Sequence, residues 1–361
     1  MRILTLVIVF TLASSVAFAQ TVDPRSIAAI EAADRDRDNA FALAEGADPL
    51  TVDVLTWLQL REDDGTFAQY QAFVASHSDW PGLDRLRSRA ELTIAKGHAA
   101  DQVIAWFAQE APQTGVGAVR LAEAMMTSGR IEEAREVLRT AWIGLRLSED
   151  GHDAMMSAFS DVLAPFHVAR TDALLWHGRR SEAERMLPLL DEDQRALAAA
   201  RIGYAAGTRN MNPLFNAVPS SLQADAGLTY HRYAWLAGRG ERTDAVAILL
   251  ERSTSGAALG EPFRWSGWRR VLARWEMREG RADQAYALAS RHYLTEGASY
   301  ADLEWLSGYL ALTYLGDPAQ ALVHFQNGLR AVSSPISVGR MQYWIGRTYE
   351  TKNDAALAAQ A

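Results

Sequence analysis

The side chains of this chain that could do chemistry are its 44 acidic residues, eight histidines and eleven tryptophans; there is no cysteine. Lack of cysteine removes thiol nucleophiles, thiolate metal sites and disulfides. The histidines stand apart, and none forms the H-x-x-x-H or H-E-x-x-H spacing that sets two imidazoles on one helix face around a metal. Taken singly, His177 and His231 read as packed or surface residues. No G-x-S-x-G elbow, phosphate-binding loop or dinucleotide fingerprint occurs. Carboxylates collect on polar helix faces, as in RIEEAREVL, where solvation is expected. The tryptophans invite sugar stacking, but Trp268 and Trp275 fall in an apolar stripe that predicts core packing. The residues therefore assign no catalytic, cofactor-binding or metal-binding side chain, and imply no cofactor.

The elements behind these residues are more legible. A glycine or asparagine followed five positions later by alanine recurs six times: Gly129/Ala134, Gly178/Ala183, Gly240/Ala245, Gly280/Ala285, Gly316/Ala321 and Asn353/Ala358. Glycine takes the left-handed conformation that ends a helix at no steric cost. Alanine lets two antiparallel helices approach just past their turn. Ser181, Asp244 and Asp317 are the predicted N-caps, with Pro318 in the first turn. Apolar residues flank the turns at i, i+3, i+4 and i+7, among them Ala118, Leu121, Ala122 and Met125, and Trp268, Val271, Leu272 and Trp275. No stretch alternates with period two. The last three alanine intervals are 40, 36 and 37 residues, near the period of helix-pair repeats such as tetratricopeptide units. The expected fold is all-α, a superhelical array of antiparallel helix pairs, a tetratricopeptide-like α-solenoid or horseshoe. Two glycine-, proline- and serine-bearing segments, 207–221 and 253–263, read as longer loops within it.

At 361 residues the chain exceeds one ordinary core, and 49% hydrophobic residues suffice to fill an array. A net charge of −8 without a basic block disfavours nucleic acid. Residues 1–19 read as a signal peptide: Arg2, the apolar ILTLVIVFTLA, then a small-residue cleavage site before Gln20. Residues 20–361 form the expected superhelical domain, exported to the periplasm and not membrane-bound after cleavage.

Three strings carry a family resemblance: DVLTWLQLREDDGTFAQYQAFVASHSDWPGLDRLRSRAE (53–91), DLEWLSGYLALTYLGDPAQALVHFQNGLRAV (302–332) and SPISVGRMQYWIGRTYE (334–350). The most specific pieces are the Trp-Pro-Gly turn followed by LRSRAE, and the spaced PIS-GR-YW-GR-E pattern. Together they resemble the N-terminal superhelical domain of soluble lytic murein transglycosylases. That resemblance implies a horseshoe or ring of helices associated with peptidoglycan glycan strands. In the family, a linker leads on to a lysozyme-like domain whose glutamate, in a Glu-Ser-x-Phe context, acts as general acid and then base, giving a 1,6-anhydro product. That motif is absent here, so the resemblance assigns no catalytic residue, and the chain is expected to stop before the linker and catalytic domain. The alternative reading is a periplasmic helical-repeat adaptor that binds protein partners.

Overall fold

The computed structural model describes residues 23–35, 38–352 and 355–360, and every regular element among them is a helix. The leader read at 1–19, the expected new terminus Gln20 and Asn353 of the sixth turn lie outside the described residues. No helix among the described residues is long and apolar enough to cross a membrane. The all-α expectation holds. The chain divides into two compact units, one ending at Val137 and the other beginning at Leu138.

In the first unit, short helices are started by local chemistry. Asp48 accepts from the Leu50 amide just ahead of Pro49. Thr66 and Gln69 form a reciprocal capping box at the head of Phe67–Ser76, which satisfies amides that a helix start leaves orphaned. Leu55, Leu60, Phe67, Tyr70, Phe73 and Leu86 are among the buried residues.

The predicted turns are built as expected. At Gly129, Gly178, Gly240, Gly280 and Gly316 φ lies between +65° and +87°. After the first four, the next amide reaches back to close the helix: Arg130 to the Met125 carbonyl, Arg179 to Leu174, Glu241 to Leu236 and Arg281 to Glu276, at 2.8–3.0 Å. Ala134, Ala183, Ala245, Ala285 and Ala321 are fully buried. A further turn of this kind, Gly207 with Thr208 reaching back to Gly203, escaped the pattern because no alanine follows it at the same distance.

Other expectations are corrected. Only Asp317 caps as predicted, accepting from the Gln320 amide at 3.0 Å. Ser181 and Asp244 lie inside Arg180–Met186 and Arg242–Arg252, because the reach-back bond lets each helix begin directly after its glycine. Trp268 and Val271 are exposed; of the predicted stripe Leu272 is buried and Trp275 is half-buried against the core, and the Pro262–Arg278 helix also buries Trp265, Arg269, Ala273 and Glu276. The buried stripe is rotated because it holds two charged residues that polarity alone had placed outside. The segments 207–221 and 253–263 each contain a short helix, Asn212–Asn216 with Pro213 at its start and Gly256–Leu259 capped by Ser255.

In the second unit the first helices of successive hairpins touch one another: Ala226–Arg239 meets Pro262–Arg278, which meets Gly297–Thr313, which meets Pro335–Thr351. Tyr233, Leu249, Trp265, Leu272, Leu288 and Leu310 fill one core between them, and Phe325, Met341 and Ile345 the next.

Gly280 gives a direct test of the turn chemistry. A Cβ there would touch nothing within 4 Å, so its cost is conformational alone. Gly280→Ala is expected to destabilise by about 1 kcal/mol and Gly280→Val by about 1–2 kcal/mol. On the same helix, exposed Gly267 also has open space for a Cβ but lacks a positive φ, so Gly267→Ala should stabilise by roughly 0.5–1 kcal/mol. Urea melts of the three variants read the difference in sign, and a stabilised Gly280→Ala protein would contradict the turn.

Candidate functional site

The Trp-Pro-Gly string builds a cleft in the first unit. Gly82, at φ +75°, turns the chain into the Leu83–Thr93 helix. The Trp57 indole N–H donates to the Pro81 carbonyl at 3.1 Å and ties the turn down. Trp80 packs edge-on against Phe73 and Trp57, with ring centroids 5.3 and 6.1 Å apart. The Ala100–Trp106 helix brings Trp106 opposite, edge-on to Phe67 and beneath the Arg87 guanidinium. Between the two tryptophans lies a cleft of about 930 Å³, lined also by Gln71, Ser78, Asp84, Arg87, Gln109 and Glu110.

This lining suits a hydroxylated, largely uncharged polymer. Half-buried indoles offer apolar faces for the C–H face of a sugar ring. Two amides, a hydroxyl and two carboxylates supply both donors and acceptors for sugar hydroxyls. It does not suit acid catalysis. Asp84 is exposed, and Glu110 is 44% exposed and paired with Arg87 at 3.2 Å. Neither is desolvated, which is the usual means of keeping a carboxylic acid protonated near neutral pH.

Three carboxylates, Glu91, Glu276 and Glu304, are buried, and each is engaged. Glu91, which ends LRSRAE, accepts from the Gln113 and Thr114 amides at 2.9 and 2.8 Å and from the Thr114 hydroxyl at 2.6 Å. Burial pushes its pKa up against those bonds. A Cβ at Gly117 would come within 2.2 Å of its carboxylate, so the string encodes a clamp on the Gly115–Thr127 helix, the second one along the chain. Glu276 is held in a two-pronged pair by Arg281.

Glu304 lies between two imidazoles. The Leu294 amide donates to His292 Nδ1 at 3.0 Å, which leaves the proton on Nε2 to be donated to Glu304 Oε1 at 3.1 Å. His324 donates from Nδ1 to Oε2 at 2.7 Å, while its Nε2 accepts from the Tyr286 hydroxyl at 2.9 Å. Burial alone would raise the Glu304 pKa, but the two imidazole bonds outweigh it and hold the carboxyl at about 2. A group so firmly ionised cannot serve as a general acid. Among the described residues, no set of three or more histidine, aspartate or glutamate side chains is arranged to hold a metal.

Compared with models of known protein families and with curated proteins, the chain matches none. The resemblance in the three strings therefore rests on those residues alone. His231 is buried and bonded to the Gly227 carbonyl, whereas His177 is exposed; neither takes part in a cluster. The row that does form, His292–Glu304–His324, and the clamp at Glu91 were not foreseen from sequence. The glutamate–histidine spacings of 12 and 20 residues match no local motif.

Proposed function

We propose that this chain is the non-catalytic superhelical portion of a periplasmic lytic murein transglycosylase, and that it holds peptidoglycan glycan strands for cleavage elsewhere. The observation that carries the reading is the cleft between Trp80 and Trp106, built by the string that resembles the family most specifically. Its tryptophan faces, amides and hydroxyl match a neutral sugar backbone, and its carboxylates lack the setting of an acid catalyst. A second cleft, of about 460 Å³ in the second unit, also holds two tryptophans. There guanidiniums lie over both rings, Arg201 on Trp176 and Arg239 on Trp235, whereas in the first cleft Arg87 lies over Trp106 and not over Trp80, so the second fits a sugar less well.

The test is one incubation with purified sacculi. The chain should pellet with them and release no 1,6-anhydro fragments into the supernatant. Trp80→Ala and the milder Gln109→Ala should each weaken retention, Trp80→Ala by roughly tenfold, the equivalent of about 1.4 kcal/mol. Anhydro products above a heat-inactivated control would reveal an active site, and a chain that never pellets would favour the adaptor reading.

A further inference from the structure

The second unit carries a concentration of positive charge that runs against the chain's net charge of −8. Arg270, Arg274 and Arg278 stand four residues apart on the Pro262–Arg278 helix. Arg340 comes from Pro335–Thr351, and one carboxylate, Asp302, lies between the two helices. Both its oxygens are taken, Oδ2 by Arg270 at 2.9 Å and Oδ1 by Arg340 at 3.1 Å. Half-buried Arg274 bonds only the Arg270 carbonyl, at 3.3 Å, and exposed Arg278 has no carboxylate partner. Burial lowers the Arg274 pKa, and repulsion from Arg270, Arg278 and Arg340 adds to this against the pull of Asp302. Four guanidiniums thus share one carboxylate, a surplus that a partner's acids would relieve.

The same helix says what kind of partner fits. At about 100° per residue, positions four apart advance by only about 40°, so the three arginines form a row whose members lie about 6 Å apart along the axis. Beside that row runs a second one of the same slope, Phe263, 63% exposed, Gly267, and Val271, 43% exposed; Gly267 and Val271 stand three residues before Arg270 and Arg274, the spacing of neighbours on one helix face. A basic row alongside an apolar row is the complement of an amphipathic helix bearing acids at i, i+4 and i+8 next to an apolar stripe. A phosphate polymer would match the charge but not the apolar row, and the chain's net negative charge would repel it at long range.

We propose that this face docks an acidic amphipathic helix of a protein partner, with its carboxylates on Arg270, Arg274 and Arg278 and its apolar side chains on Val271 and Phe263. The inference is independent of glycan binding, which belongs to the first unit.

The test uses the full chain and three probes. One is a synthetic helical peptide with glutamates at i, i+4 and i+8 beside a leucine stripe. The second is a peptide of the same composition with its glutamates spread around the helix, and the third is inorganic polyphosphate. The first peptide should bind and weaken as salt is raised from about 0.05 to 0.5 M. Arg274→Glu with Arg278→Glu should weaken it by at least about tenfold. Arg278 is exposed, so Arg278→Glu alone should leave the thermal melt unmoved, whereas half-buried Arg274 bonds the Arg270 carbonyl and its reversal should lower the melt of the double variant. Phe263→Ala should weaken the first peptide and leave polyphosphate unaffected. Equal binding of both peptides would overturn the proposal, as would polyphosphate binding more tightly through the same arginines. Loss of binding in the charge-reversed protein together with a lowered melt would be checked by Phe263→Ala: an unchanged affinity there would also overturn it.

Discussion

Arg170→Ala is expected to destabilise the second unit by about 3–5 kcal/mol, the range for leaving a buried charge or its partners uncompensated. The Arg170 side chain is fully buried and lies over the Trp142 ring at 4.7 Å. Its Nη1 donates to the carbonyls of Trp142 and of Leu145, and its Nη2 meets Glu182 Oε2 at 3.3 Å. One guanidinium thus satisfies the carbonyl end of one helix and the carboxylate of another. Burial lowers its pKa to about 10, with Glu182 opposing, so the group stays charged at neutral pH and its desolvation is already met by these partners. Alanine removes the donor, leaves a cavity under Trp142 and leaves Glu182, only 11% exposed, held by the Leu147 amide at 3.1 Å and the more distant Arg146 at 4.0 Å. Arg170→Met keeps much of the volume and should lose less. Adding Glu182→Gln to Arg170→Met should recover part of the loss, because the under-compensated charge is gone. Urea melts of the four proteins decide the matter. A loss under about 1 kcal/mol for Arg170→Ala would mean that the guanidinium is not holding these ends together.

Residues of this kind mark where reading the sequence stopped. The hairpin turns were legible because their needs are local: a positive φ asks for glycine, and a close helix approach asks for alanine, five residues on. All five glycines and alanines of the described turns behave so. The buried face of Pro262–Arg278 was misread because periodicity counts arginine and glutamate as outward. Arg269 is nonetheless fully buried, donating to the Leu288 carbonyl at 2.7 Å and the Ser253 hydroxyl at 2.8 Å. Those acceptors lie 19 and 16 residues away and become neighbours only once the hairpins stack. For the candidate cleft, the Trp-Pro-Gly turn was visible as a string, but its opposite wall, Trp106, sits in a helix that no motif singled out. Glu91 drew no reading of its own within LRSRAE, because the bare glycine at 117 that receives it lies two helices further along the chain.

Glu304 supplies the second large effect, and it depends on pH in a definite direction. In the folded chain the two imidazole bonds hold its pKa at about 2, against an ordinary value of 4.5. As pH falls, the unfolded chain therefore takes up this proton first. The stabilisation is complete above about pH 4.5 and drains away toward pH 2, amounting to about 3 kcal/mol for a depression of this size. Glu304→Gln cannot make that contribution, and its amide also presents hydrogens to imidazole N–H donors that need an acceptor. At pH 7 the variant should be less stable by about 3 kcal/mol, as expected when charged hydrogen bonds are lost in a buried site. Between pH 3.5 and pH 2.5 the gap between the proteins should narrow, because the carboxylates elsewhere titrate alike in both and cancel. Urea melts at the three pH values measure it. Proton NMR gives an independent reading: the His292 Nε2 proton, buried and donated to a carboxylate, should appear as a slowly exchanging downfield resonance that disappears in the variant. Parallel pH curves for the two proteins would show that Glu304 is not held ionised by His292 and His324.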